Sequence, residues 1–527
     1  MVEPAAPFAP LSSLLDAALD VDGGGWPALV LASETWSFAD LAARSAQIGT
    51  WASTCAPVGG MVAIIGENHP DWVAAYYGVP TNQRVLCFLN HRLSPAELAS
   101  QIERSGARGI LASNTQAARL DAIFSPDLPL LRFGDELPEI TLRSPEEDFA
   151  PDDPAWLLFT SGTTGAPKGA LLTQRSIMAA LLSGTAARPI DPNEVFAFPF
   201  PLCHVAGYNV LRLHAARRPV VLLERFDPGD FIDAVERSRV TSATMAATML
   251  ASLREHLDEH PEAIARLASL TSLAYGASPM PAELLRWADD TLGVTLSQGY
   301  GMTELSGNAV FLDPEAHRQG LDHDPTVLLA AGRPGEGVEV EIRDPTGAAL
   351  GVGETGEITV RGDQVMLGYL DDAAATQHTI VDGWLRTGDG GRWRSDGLIE
   401  VVDRLKDVIV TGGENVASLE VENAIRAHLP AVREVAVVGI PDTTWGENVC
   451  AVVVPYPGET LTIDELARSL TDRLAGFKIP RHLVIIEALP MTHSGKVAKA
   501  QLRSWLAEDP TRAGRRREAG PSSAPTI

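Results

Sequence analysis

Residues 160–169 read Thr-Ser-Gly-Thr-Thr-Gly-Ala-Pro-Lys-Gly, which places four hydroxyl side chains, three glycines and one lysine within ten positions. Hydroxyls donate hydrogen bonds, the lysine adds a compact cation, and glycines let backbone N–H groups approach closely, so the segment suits phosphate. The apolar run Trp156-Leu157-Leu158-Phe159 predicts a buried strand, from whose end the loop leaves with its amides available to an anion. This is not a Walker A loop, because that pattern needs Gly-Lys-Ser/Thr, whereas Pro167 precedes Lys168 and Gly169 follows it. A different nucleotide chemistry is implied.

Further motifs follow in order: Gln298-Gly299-Tyr300-Gly301-Met302-Thr303-Glu304, Arg386-Thr387-Gly388-Asp389, Asp403-Arg404-Leu405-Lys406-Asp407, Gly412-Gly413-Glu414-Asn415 and Ser494-Gly495-Lys496. With the decapeptide, they resemble the signature of the adenylate-forming superfamily, which comprises acyl- and aryl-CoA ligases, adenylation domains of peptide synthetases, and luciferases. The resemblance spans roughly residues 30 to 505. It implies an AMP-forming acid–thiol ligase: a carboxylate attacks the α-phosphate of ATP, pyrophosphate leaves, and the acyl-adenylate passes to coenzyme A.

The resemblance also implies roles. Thr160, Ser161, Gly162, Thr163, Thr164, Gly165 and Lys168 would cradle the β- and γ-phosphates, and Tyr300 would stack on adenine. Gly276, Ala277, Ser278, Gln298, Gly299 and Gly301 complete the expected nucleotide site. Thr303 would meet the α-phosphate and Glu304 would ligate Mg2+, an ion that commonly takes one or two carboxylates and leaves its other positions to phosphates and water. Asp389 would accept from the ribose hydroxyls, and Arg404 would bind ribose or phosphate. Lys496 would bridge the attacking carboxylate and the α-phosphate, where transition-state charge concentrates; Met491 stands where the family more often has Arg or Lys. His204 matches a position beside the carboxylate. Arg92, Trp445, Phe477, Lys478 and Arg481 resemble residues that hold the CoA nucleotide, and Gly412, Gly413 and Glu414 would line the pantetheine tunnel. Trp445 and Phe477 would serve equally well as core residues of a small domain. The acyl pocket should involve Tyr208, Asn209, Ala274 to Ser278, Gly301 and Ser306 to Asn308, all small or neutral. No carboxylate stands where peptide-synthetase domains bind an amino group, which disfavours α-amino acids. A carrier-protein thiol, an amine or another nucleophile stays open as the acceptor, as does a homodimer.

These residues need a large scaffold. At 527 residues the chain exceeds a single-domain length, and 21% charged with 45% hydrophobic residues describes a soluble globule. A net charge of −26 without a basic, aromatic-interleaved stretch argues against nucleic acid as a partner. No apolar run approaches a membrane span and the N-terminus lacks a signal pattern, so a cytoplasmic protein is expected. Cys55, Cys87, Cys203 and Cys450 are scattered without CxxC pairing, which disfavours zinc and disulfides.

The fold class expected is α/β. Short β-rich runs such as Met61–Ile65 and Pro219–Leu223 alternate with helical stretches at Leu93–Glu103 and Asp230–Arg239. The expected division is a large multi-layer N-terminal domain over 1–404, with α/β layers plus a β subdomain; a hinge at 405–407 containing Lys406; a small mobile α+β domain over 408–508; and a disordered tail over 509–527. In the small domain, a helix near Leu419–His428 with Ser418 as N-cap, strands near Val435–Gly439 and Val449–Val454, and a helix near 463–475 are expected.

Overall fold

A computed structural model describes residues 9–121, 128–138, 150–160, 167–276, 280–492, 496–509, 512 and 514–515. The chain divides into two compact units. The larger comprises Met1–Glu341, Thr359–Arg386 and Asp396–Ile399, and the smaller Ile342–Ile358, Thr387–Ser395 and Glu400–Ile527. This departs from a single boundary at residue 404: the segment Thr387–Ser395, which carries Asp389, belongs to the smaller unit with Arg404.

In the larger unit, one sheet runs in the order Leu130–Arg132, Ile110–Ala112, Met61–Ile65, Val85–Leu89, Pro154–Thr160, Lys168–Thr173, Gly368–Tyr369. Its central strands are parallel and almost wholly buried, which is why they read as continuous apolar runs. Pro154–Thr160 then turns back antiparallel into Lys168–Thr173, with Thr160 opposite Lys168. The expected phosphate loop therefore joins two paired strands; its residues Ser161 to Ala166 lie outside the described residues. The helix expected from Leu93 begins at Pro95, because Ser94 forms a capping box: its hydroxyl accepts from the Glu97 N–H, and the Glu97 carboxylate accepts from the Ser94 N–H. Asp227 likewise starts the next expected helix at Pro228.

A second sheet of the larger unit runs through Thr35–Ser37, Pro27–Val30, Val220–Leu222, Phe196–Phe198, Ser242–Met245, Ser272–Gly276, Thr295–Met302, Gly307–Leu312 and Ala330–Pro334. Residues alternate between its faces. On one face Ala243, Met245, Leu273, Tyr275 and Leu296 enter a core closed by Phe231, Val235, Leu250 and Leu285. The register aligns Ser242 with Ser272, Thr244 with Ala274 and Ser297, and Gly276 with Gly299, so the opposite face carries a lane of small residues.

The smaller unit centres on the antiparallel pair Val432–Asp442 and Gly446–Pro455, joined by His482–Ile485, Ile409–Thr411 and Glu414–Val416. Val435, Val437, Ala451 and Val453 face helices Ser418–His428 and Ile463–Leu470, whereas Ala436, Val438, Val452 and Val484 face helix Lys499–Glu508 through Leu502 and Leu506. The structure differs from expectation in two respects here. Ser418 is the first helical residue rather than the cap, because Asp403 accepts from the Ser418 N–H, the Ser418 hydroxyl and the Leu419 N–H. In the expected disordered tail, Gly514–Arg515 instead pairs antiparallel with His482–Leu483. Among the described residues no helix is long and apolar enough to cross a membrane.

Candidate active site

The larger unit brings Lys168, Glu304 and Tyr369 together. Lys168 opens its strand, and Nζ stands 5.1 Å from the centroid of the Tyr369 ring. Tyr369 follows Gly368 in a two-residue strand fixed by pairing to Ala170 and Leu171, and its hydroxyl donates to Glu304 Oε1 at 3.0 Å. Burial, then the Glu304 charge, pushes the phenol up from its ordinary value, so it remains a donor at neutral pH. Glu304 is only 5% exposed, and its backbone carbonyl accepts from the Met366 N–H at 2.9 Å.

Backbone packing sets the position of Glu304. A register break falls between Tyr300 and Gly301 opposite Gly307–Leu312. A Cβ on Gly301 would lie 2.0 Å from the Gly307 carbonyl, one on Gly299 2.1 Å from Asn308 Nδ2, and one on Gly276 2.6 Å from the Gly299 carbonyl. The strands thus approach more closely than any side chain would permit. Tyr300 stays half-buried beside them, and the chain turns through Thr303–Leu305 into Ser306 at φ 58°. The Ser306 hydroxyl donates to Ser176 Oγ at 2.8 Å. Ala277 and Ser278 lie outside the described residues.

His204 precedes a short turn at Val205–Gly207, where its N–H donates to the Pro201 carbonyl and its carbonyl accepts from Gly207. Arg92 is exposed, with its N–H on Asn90 Oδ1 at 3.0 Å.

In the smaller unit Arg404 Nε meets the buried Asp389 carboxylate at 2.6 Å, so these two expected ribose residues form one pair. Lys406 is exposed on the turn Leu405–Asp407, and Arg503 holds Asp407 at 2.8 Å. A second cluster forms around Gly412: its N–H donates to the Trp445 carbonyl, a Cβ there would lie 2.8 Å from the indole, and the Arg481 guanidinium stands 4.3 Å from the ring centroid. Trp445 is 39% exposed, which distinguishes it from a core tryptophan. Gly413 and Glu414 are exposed on the same turn. Phe477, by contrast, packs against the core, and Lys478 is held by both carboxylate oxygens of Glu420 at 2.7 and 2.8 Å. These contacts give both residues a structural role in the unit. Lys496 is exposed: its N–H donates to Thr492 Oγ1 at 3.1 Å, its carbonyl accepts from the Thr492 N–H at 2.6 Å, and Val497 bridges Met491.

Tyr369 escaped the sequence reading. Its partner lies 65 residues away, and the only local signal is an aromatic residue after the glycine of Met366-Leu-Gly-Tyr369. The donor set suits magnesium. Among the described residues Glu304 Oε2 has no hydrogen-bond partner, and no cluster of three ligating side chains forms, matching an ion held by one carboxylate with phosphates and water. Tyr369→Phe should raise the magnesium concentration for half-maximal pyrophosphate release by about tenfold, the scale of one hydrogen bond to a charged group, in a metal titration.

The chain matches the model "AMP-binding enzyme" over residues 17–370 and "AMP-binding enzyme C-terminal domain" over 420–496. It belongs to the AMP-binding enzyme family. Within the adenylate-forming superfamily, it falls among the CoA ligases. A feruloyl-CoA synthase of Amycolatopsis sp is 35% identical over 89% of this chain and 93% of that protein. A fatty acid–acyl-carrier-protein ligase of Streptomyces coeruleorubidus is 30% identical over 92% and 94%. Among solved structures, o-succinylbenzoate CoA synthetase from Bacillus subtilis, in complex with its acyl-adenylate intermediate, superposes with TM-score 0.81 at 29% identity, covering 94% of this chain and 98% of that one. The amide bond synthetase McbA from Marinactinospora thermotolerans gives TM-score 0.84 at 29% identity over 94% and 100%. The B. subtilis synthetase has also been solved with ATP and a magnesium ion.

Proposed function

We propose that this AMP-binding enzyme is an ATP-dependent carboxylic acid–CoA ligase working through an acyl-adenylate. The observation that carries it is the buried Glu304, held by Tyr369 beside Lys168, at the end of a glycine-packed strand that also bears Tyr300. In the first step a carboxylate oxygen bonds to the α-phosphorus of ATP and the bond to pyrophosphate breaks. Lys168 and the hydroxyl loop hold the β- and γ-phosphates, Thr303 meets the α-phosphate, Asp389 and Arg404 receive the ribose, and Lys496 bridges the two reacting anions. Magnesium at Glu304 would neutralise phosphate charge. In the second step the CoA sulfur bonds to the acyl carbon and AMP leaves. Lys496 and the Gly412–Trp445–Arg481 cluster both belong to the smaller unit, so we assign them to successive steps, with a rotation about Lys406 between them.

Arg481 against an exposed Trp445 favours a nucleotide-bearing thiol as acceptor. A carrier-protein thiol or an amine is the second reading, supported by the activities named for two of the relatives. The test is pyrophosphate release from a carboxylic acid library with and without CoA, with mass detection of products. CoA-dependent thioester is the expected result, and acyl-adenylate unaffected by CoA would move the proposal to the second reading. We further place the protein in the cytoplasm, where its four unpaired cysteines would stay reduced.

A further inference from the structure

The lane of small residues on the second sheet does not lead to an apolar pocket. Two residues back along the strands from Gly276 and Gly299, Ala274, Ser297 and Thr244 border a cavity of about 400 Å³, which Arg188 and Arg212 also line. Arg212, on helix Tyr208–Ala215, is 4% exposed. Its Nη1 donates to the Arg188 carbonyl at 2.8 Å, but its Nε is buried with no partner. Arg188 donates from Nη2 to Tyr208 Oη at 3.2 Å and Asn209 Oδ1 at 3.1 Å, and its Nε is likewise buried and unpartnered. The Thr244 hydroxyl is a third buried group without a partner.

Neither arginine has a carboxylate within ion-pair distance among the described residues. The acids lining the cavity are Glu194 and Asp191. Glu194 is already engaged, accepting from the Ser242 hydroxyl at 2.5 Å and from the Asp191 N–H at 3.1 Å, and Asp191 is exposed. Buried guanidinium groups are rarely left without a counter-charge, because desolvation costs several kcal/mol per ion. Burial and the neighbouring Arg188 pull Arg212 down to about 10, which still leaves it cationic at neutral pH. The cavity therefore has two cations in its wall; of the residues expected around the acid, Ala274 lines it, and Tyr208 and Asn209 hold one of the cations.

We propose that the acid activated by this enzyme carries a second carboxylate, received by Arg188 and Arg212 with the Thr244 hydroxyl as a further donor. This rests on the adenylation reading. Strand rise sets the span: from Gly276 to Ala274 is ~7 Å and to Ser272 ~13 Å, so the two carboxyl groups lie about that far apart. The rigid fork of arginine suits such a group through paired N–H donors.

The experiment compares dicarboxylic acids of this span with their monomethyl esters, measuring pyrophosphate release by the full chain. A preference of at least tenfold in kcat/KM for the diacid is expected, falling in Arg212→Met, Arg188→Gln and Thr244→Val, and better kept in Arg188→Lys. Because Arg212 also supports a helix end, Arg188→Gln and Thr244→Val keep the test decisive if Arg212→Met fails to fold. Equal or faster turnover of the esters by the unmodified enzyme overturns the proposal and leaves adenylation standing. If no acid releases pyrophosphate, the adenylation reading fails, and calorimetry decides the pocket alone: diacid binding that Arg188→Gln weakens supports it, and diacid binding no tighter than ester binding overturns it.

Discussion

Lys496→Ala should slow acyl-adenylate formation by about 10² to 10³, the loss expected when one preorganised charge at the reacting centre is removed. Two hydrogen bonds at residue 496 use its main chain, so alanine keeps them, and the side chain itself is exposed. Exposed substitutions of this kind usually change stability by under about 0.5 kcal/mol, so lost activity would report chemistry rather than folding. The measurement is ATP–pyrophosphate exchange, paired with thioester formation from supplied acyl-adenylate and CoA. The first rate should collapse while the second is retained, since the transfer step no longer involves pyrophosphate. Full exchange activity in Lys496→Ala would remove the residue from the mechanism.

The second large effect is on stability. Asp403 lies in the same sequence word as Arg404 and Lys406, but its side chain builds the smaller unit. It is buried, caps helix Ser418–His428, and accepts from the Arg404 N–H at 2.8 Å. Ser418 Oγ also accepts from Lys499 Nζ at 2.6 Å, and Lys499 pairs with Glu422 at 2.7 Å. Glu422 in turn accepts from the Val437 N–H at 2.9 Å, tying the helix to the central strand. Asp403→Ala strands buried donors and leaves Lys499 with less counter-charge, which should cost about 3 kcal/mol, the low end for breaking a buried ionic network. Burial pushes the Asp403 carboxyl above its ordinary value, with Lys499 and Ser418 pulling the other way. A raised folded-state value means that this group's contribution to stability is fully present below the unfolded carboxylate range and is lost as pH rises through the folded value. Asp403→Asn keeps an acceptor without that ionisation cost and should be milder than alanine. Hydrogen exchange across Ser418–His428 is the readout; unchanged protection in Asp403→Ala would refute the capping role.

The contrast between Lys496 and Asp403 shows what the sequence discloses. Lys168, Glu304 and Asp389 could be named because their motifs resemble those of a known superfamily, and the structure joins Lys168 and Glu304 through Tyr369 and sets Asp389 on Arg404. Strands were legible where apolar runs are continuous, as at Met61–Ile65, whose bounds agree at both ends. Helix starts were missed by a residue or two where a local cap decides them, as Ser94 does for Pro95. What distant residues decide was not legible. Nothing around Ser418 indicates that Asp403 will cap its helix, nor does anything beside Tyr369 indicate Glu304. Arg212, in Val210-Leu-Arg-Leu-His214, reads as an interruption of an apolar helix; only the fold shows that it points a charge at the strand face bearing Thr244 and Ser297.

The close approach of Gly276, Gly299, Gly301 and Gly307 bears on how such a chain can diverge. At Gly276 and Gly301 main chain meets main chain, while a Cβ on Gly299 would strike the Asn308 side chain and one on Gly307 would press on the Tyr208 ring, so side chains larger than hydrogen are disfavoured along this stretch. Two residues back along the same strands, Ala274 and Ser297 face open space beside the cavity. Mutational freedom therefore changes abruptly within one strand. Substitution is open at the far end, where side chains border a cavity, and closed at the glycine-packed end, where a Cβ has no room.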